Sequence, residues 1–150
     1  MDFKLSQEHL AIQEMAADFS RDYLAPYASE WDEKASFPID TMRSAAQLGM
    51  AAMICKEDIG GSGLKRLDAS LVFEQLATGC VTTSAFISIH NMVATIIDRY
   101  ASKELRKKWG PKLAVMDIIG SYCLTEPASG SDAASLKTRA ALDGDHYILS

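Results

Sequence analysis

Cysteine is scarce and badly placed for cross-linking: Cys55, Cys80 and Cys123 are odd in number and far apart. That spacing builds neither a zinc site nor a disulfide framework, and it suits reduced thiols in a cytosol. Histidine is equally sparse, with His9, His90 and His146 scattered along the chain, so a metal site has no support. No apolar run approaches the length of a membrane span. Positive charge is in deficit: 15 Lys and Arg against 20 Asp and Glu leave a net charge of −5. That balance argues against nucleic acid or an anionic membrane as partner. Met1-Asp2-Phe3-Lys4 lacks the charged-then-apolar layout of a signal peptide, and Glu8 and Glu14 do not suit a transit peptide. The compartment expected is therefore bacterial cytoplasm, or the mitochondrial matrix for a mature eukaryotic form.

What remains is a folded chain, 48% apolar, and up to residue 117 its pattern is helical. Ser6 is a good N-cap, with Glu8 in the first turn, and Ile12, Met15, Ala16, Phe19 and Tyr23 form one stripe. Pro26 marks a break before a short helix around Trp31. Phe37-Pro38-Ile39-Asp40 opens a third helix, with Pro in its first turn and Gly49 at its end. Gly60-Gly61-Ser62-Gly63 fails both phosphate-loop templates and reads as a flexible turn between helices. A helix over 67–78 stops at Gly79. The next, over 82–100, is apolar nearly all round, with Phe86, Ile89, Val93, Ile96 and Tyr100 on one stripe, so it is expected to be buried. His90, alone within it, reads as a hydrogen-bonded core residue rather than a catalyst. Ser102 caps a last helix whose outer face carries Lys103, Arg106, Lys107, Lys108 and Lys112, a solvated basic surface ended or kinked by Gly110-Pro111.

The chain is organised around the stretch from Ile118 to Asp132. Ile118-Ile119 leads into Tyr122-Cys123-Leu124-Thr125, read as a strand ending at a hydroxyl. Pro127 forces a turn, and Ser129-Gly130-Ser131-Asp132 supplies small residues, hydroxyls and backbone freedom. Such a loop lets main-chain N–H groups approach a flat polar ligand or its phosphates. Beyond it, segments 135–140 and 146–149 read as strands joined at Asp143-Gly144.

Tyr-Cys-Leu-Thr-Glu-Pro-x-Ser-Gly-Ser-Asp, over 122–132, closely resembles the flavin-binding signature of the acyl-CoA dehydrogenases. Phe73-Glu74-Gln75-Leu76-Ala77, Ile89-His90-Asn91-Met92 and the Gly-Gly loop fall in that family's order, and the run 83–92 looks most like its short branched-chain branch. The resemblance implies a mainly α fold: an N-terminal, bundle-like helical domain over 1–117, then the start of a β-barrel-like middle domain over 118–150, cut short. It implies non-covalent FAD and α,β-dehydrogenation of an acyl-CoA, isobutyryl-CoA favoured, with an electron-transfer flavoprotein as acceptor and a homo-oligomer, a tetramer in this family. Carried over by residue, Tyr122, Cys123, Leu124, Thr125, Glu126, Gly130 and Ser131 hold the cofactor, while Ser131 and Ser88 meet the substrate. Glu126 is not expected to be the base, because the family takes its catalytic Glu from a later helical domain outside these residues. An acyl-CoA oxidase and a non-catalytic helical interaction module are the alternatives.

Overall fold

The computed structural model describes residues 4–150; Met1-Asp2-Phe3, part of the stretch read against a signal peptide, lies outside the described residues. Helices come first and a two-stranded sheet last, so the architecture is mainly α, as expected.

Helix α1 (Gln7–Phe19) begins where the sequence predicts. Ser6 Oγ accepts the His9 N–H at 3.2 Å, and His9 Nδ1 accepts the Ser6 N–H at 3.2 Å. This is a capping box closed by imidazole in place of Glu or Gln. The helix runs into a π turn, Ser20–Leu24, that the stripe did not announce. Helices α2 (Ala28–Glu33) and α3 (Ile39–Gln47) follow. Pro38 occupies the N-cap of α3 rather than its first turn. Gly49 takes φ +81° beyond the end of α3.

The run 50–63 is not a flexible turn. Met50, Ala51, Ala52, Met53 and Cys55 are all buried. A short 3-10 turn, Glu57–Ile59, lets the chain double back. The Ser62, Gly63 and Leu64 N–H groups donate to the Ala52, Cys55 and Met53 carbonyls at 3.1, 2.9 and 2.8 Å. At Gly61 a Cβ would overlap the Cys55 carbonyl. Glycine serves close approach here, not looseness.

Helices α4 (Arg66–Gly79), α5 (Val81–Tyr100) and α6 (Lys103–Ala114) complete the body. Their main core joins Phe19, Leu24, Met42, Met50, Met53, Leu76, Ile87 and Met116. Gly110-Pro111 neither ends nor interrupts α6, which continues to Ala114. Gly110 is buried against the Ile59 side chain, so packing holds the helix through the one hydrogen bond that proline omits. The outer face of α6 is also less uniform than its charges suggest. Arg106 turns inward and bridges Asp98, 2% exposed at its side chain, and Asp58.

Helix α5 reverses the expectation placed on it. Its buried residues include Thr83, Ser84, Ile87, His90, Asn91, Ala94 and Asp98, a largely polar set, while Ile89 and Tyr100 are exposed. The polar groups face inward because each finds a partner there. Asn91 Oδ1 accepts the Met53 N–H at 2.8 Å, and Asn91 Nδ2 donates to the Met50 and Ile87 carbonyls at 2.7 and 2.9 Å. Asp98 Oδ2 accepts the Lys56 N–H at 3.2 Å. The mostly buried, irregular run 50–56 thereby has three of its main-chain groups, the Met50 carbonyl and the Met53 and Lys56 N–H, satisfied by α5 side chains.

Segment 118–125 is not a strand among the described residues, since no neighbouring segment pairs with it. The terminal hairpin forms as expected, with β1 (Ala140–Asp143) antiparallel to β2 (His146–Leu149) and Ala140 opposite Leu149. Gly144, first of the two loop residues, takes φ +62°. The first strand starts later than predicted, because Ala133–Ser135 forms a 3-10 turn and the Lys137 and Thr138 amides bond elsewhere.

Candidate functional site

The signature segment leaves the helical body at a glycine held by α5. The Gly120 N–H donates to His90 Nδ1 at 3.1 Å, and His90 Nε2 donates to the Leu113 carbonyl at 2.9 Å. With both ring nitrogens engaged, the imidazole is a neutral Nε2–H tautomer, and burial pushes its pKa below the usual value. His90 is fully buried, so it is the hydrogen-bonded core residue the sequence predicted. A Cβ at Gly120 would approach two Val93 carbons to 2.7 Å, so glycine lets the chain pass this close.

Past that point the main chain is free. Among the described residues, no hydrogen bond joins the 121–125 backbone to any other group. Tyr122, Cys123 and Thr125 are exposed and Leu124 is half-buried. Unpaired N–H and C=O groups in a row form an edge that a ligand or another strand can complete.

The loop that follows is tied to itself. Glu126 and Ser129 exchange both main-chain hydrogen bonds across Pro127-Ala128, at 2.9 and 3.1 Å. Ser129, the buried residue of this loop, donates its hydroxyl to the Asp132 carbonyl at 2.6 Å. The Glu126 carboxylate accepts from the Lys137 N–H, the Thr138 N–H and the Thr138 hydroxyl at 2.8, 2.9 and 2.5 Å. These hydrogen bonds, the hydroxyl's first, hold its pKa below the usual carboxylate value. Gly130 is neither in the left-handed region nor crowded, since a Cβ there would meet nothing within 4 Å. The chain's own packing thus gives no reason for glycine at 130. Ser131 beside it is exposed.

Ser88 lies elsewhere, in an open, mostly apolar groove of about 530 Å³ between α4 and α5. Ile54, Ala69, Phe73, Met92 and Thr95 share its lining, and Arg66 stands at it as the charged group. The Ser88 hydroxyl donates to the Ala85 carbonyl at 2.8 Å. The structure thus brings together Tyr122, Cys123, Leu124, Thr125, Glu126, Gly130 and Ser131 as one continuous strap, and places Ser88 in a separate groove.

Sequence reasoning names Asn91 only as a polar residue of α5 and part of a family run, without a role, and passes over Asp98, Lys137 and Thr138. For Asn91 and Asp98 a signal existed: Thr83, Ser84, Asn91, Thr95 and Asp98 recur at helical spacing and mark a polar face. For Lys137 and Thr138 the contribution to the loop is chiefly main-chain N–H, which any residue but proline supplies.

Residues 6–117 match the family model described as the acyl-CoA dehydrogenase N-terminal domain. The mitochondrial isobutyryl-CoA dehydrogenase of Dictyostelium discoideum is 54% identical over 146 residues, covering 97% of this chain and 35% of that protein. Its Bos taurus counterpart is 53% identical over the same share of each. The solved glutaryl-CoA dehydrogenase of Mycobacterium smegmatis, in complex with FADH2, superposes with a TM-score of 0.89 at 32% identity, over 97% of this chain and 38% of that one. The chain thus spans about a third of the length of the curated relatives it matches. On the family match over residues 6–117, and on these identities, the chain belongs to the acyl-CoA dehydrogenase family.

Proposed function

We propose that this chain supplies part of the active site of an FAD-dependent dehydrogenase that converts a short branched acyl-CoA, isobutyryl-CoA foremost, to its 2,3-enoyl-CoA. The observation that carries the reading is the strap 121–131: five residues of unpartnered main chain, all but Leu124 exposed, followed by a glycine with no internal cause. Those features fit a flat cofactor with a pyrophosphate tail, which needs N–H donors along one edge and close backbone approach at the other end.

On this reading the 122–125 main chain and the exposed Thr125 hydroxyl would hold the flavin ring, with the hydroxyl as a hydrogen-bond donor to it. Bound there, FAD would supply the acceptor for the hydride that leaves the acyl β-carbon. A donor at Thr125 favours negative charge on the reduced ring. Gly130 and Ser131 approach the phosphate-rich arms, with the Ser131 hydroxyl shared between cofactor and coenzyme A. Ser88 and its groove receive the opposite, acyl end of the substrate.

The catalytic base lies outside these 150 residues on this reading. Both Glu126 oxygens are occupied and its pKa is lowered, which supports excluding it from that role. The boundary between the helical domain (1–117) and the middle domain (118–150) goes with the same proposal. So do an electron-transfer flavoprotein as acceptor, a homo-oligomeric complete protein, and a cytoplasmic or matrix location. No helix among the described residues is long and apolar enough to cross a membrane. The dehydrogenase names of the relatives support this reading over the oxidase and the interaction module.

A visible spectrum of the complete protein, before and after anaerobic isobutyryl-CoA, tests the proposal. A flavin band that bleaches on addition is the expected result. A complete protein without flavin, or one whose flavin ignores every short acyl-CoA, overturns it.

A further inference from the structure

The loop 126–138 carries Gly130 and Ser131, yet has almost no packing to hold it. Residues 130–138 are exposed throughout, and Ser129 alone in the loop is buried. Within these 150 residues, hydrophobic burial therefore does not fix its shape, and hydrogen bonds do. Most of those bonds are local. Ser129 donates to the Asp132 carbonyl, the Ser135 N–H donates to the same carbonyl at 3.1 Å, and the Ser135 hydroxyl pairs with the Asp132 carboxylate. They shape the middle of the loop without saying where it sits.

One side chain joins its two ends. Glu126 reaches across to residues eleven and twelve positions later, with Oε2 on the Lys137 N–H and Oε1 shared by the Thr138 N–H and hydroxyl. Immediately beyond, Arg139 and Ser150 exchange main-chain hydrogen bonds at 2.9 and 3.1 Å, and the hairpin begins. The carboxylate thus fastens the loop to the base of the only sheet among the described residues. On its other side, Glu126 follows Thr125 directly.

We propose that Glu126 is a positioning residue for the cofactor site: its carboxylate closes the 126–138 loop and thereby sets where Thr125, Gly130 and Ser131 stand, without itself touching flavin or substrate. This rests on the FAD reading above. It also revises the role first expected of Glu126, from cofactor contact to clamp. The geometry explains why glutamate is needed. Three donors converge on two oxygens, and all three bonds are assisted by the negative charge. Glutamine keeps the length but turns an NH2 toward an N–H, leaving a donor facing a donor. Aspartate falls one methylene short of the span.

Two measurements test this, one without cofactor. In the chain alone, limited trypsin digestion reads exposure of the bonds after Lys137 and Arg139. Glu126→Gln is expected to speed cleavage there at least about fivefold, Thr138→Val about twofold, and Thr138→Ser not measurably, since Ser keeps the hydroxyl. Helical circular dichroism stays unchanged in all three, because the clamp lies outside the helical body. In the complete protein, Glu126→Gln is expected to weaken FAD binding about tenfold or more, with Thr138→Val intermediate and Thr138→Ser like the parent.

Faster cleavage together with unaltered FAD affinity overturns the positioning role while leaving the FAD reading intact. Unchanged cleavage overturns the clamp itself. A parent protein that binds no FAD overturns the reading beneath both, and the trypsin series still reports separately on the clamp.

Discussion

Asn91→Ala is the most informative single perturbation of the helical body. The Asn91 amide supplies the acceptor for the Met53 N–H and a donor to the Met50 carbonyl, at 2.8 and 2.7 Å. Met50 and Met53 are each 1% exposed, so water does not replace the lost partner without local opening. The Ile87 carbonyl loses less, because it remains inside α5 with its helical bond. Leaving a buried donor and a buried acceptor unpaired costs about 1–3 kcal/mol each, which makes about 4 kcal/mol for the pair. At about 2–4 °C per kcal/mol for a chain of this size, the thermal midpoint falls by about 12 °C. Thermal unfolding followed by circular dichroism at 222 nm measures it. Asn91→Asp, which keeps the shape but sets a carboxylate against the Met50 carbonyl, is expected to be at least as harmful. A shift below 3 °C for Asn91→Ala would show that the run 50–56 stands without α5, and the account of that helix's polar face would be wrong.

Other outcomes follow from the same geometry. Gly61→Ala drives a methyl group into the Cys55 carbonyl and is expected to abolish or severely weaken folding, read as loss of a cooperative melt. Asp98→Leu removes a buried partner of Arg106 and the acceptor of the Lys56 N–H; urea unfolding is expected to show a loss of about 2–4 kcal/mol. His90 is held neutral with its pKa lowered, so the folded state resists the proton that the unfolded state accepts near 6.5. Stability is therefore complete above that value and declines as pH falls through it, and His90→Gln is expected to flatten this stretch of the stability–pH curve. Ser88→Phe, in the complete protein, is expected to shift acyl-chain preference toward smaller groups with little change in FAD content; an unaltered preference removes Ser88 from the substrate site.

Local chemistry was legible in the sequence wherever a signal and its response are neighbours. Ser6 as a cap, Ser102 as a cap and Asp143-Gly144 as a hairpin corner all act within four residues of themselves, and all were read correctly. The signature over 122–132 was legible as a motif, but its conformation was not. The run from Ile118 to Thr125 has the composition of a strand, and a strand exists only against a partner. Periodicity misled on α5 because it counts apolar residues and ignores what they face. The buried side of that helix abuts the main chain of 50–56, which needs amide and carboxylate groups rather than methyls. Gly60 to Gly63 and Gly110-Pro111 were misread for one shared reason. Local pattern reads glycine as freedom or as an end, whereas Gly61 and Gly110 are sites of contact with Cys55 and Ile59. The Glu126 clamp lies beyond reach, since two of its three donors are main-chain amides and the third, the Thr138 hydroxyl, stands twelve residues away with no local signal.

The π turn at the end of α1 has a consequence for how this sequence can vary. Ser20 and Leu24, the two ends of that turn, are both buried, and Gly79 of α4 passes directly over them. Any side chain at 79 would overlap Ser20, whose hydroxyl lies 3.4 Å from both the Leu76 carbonyl and the Thr78 hydroxyl. Positions 20, 24 and 79 therefore form one packed unit. A change in the length of that turn would shift Ser20 and Leu24 against α4 and so change the space open to a side chain at 79. Across an alignment of relatives, the length of that turn and the residue at 79 are expected to change together or not at all.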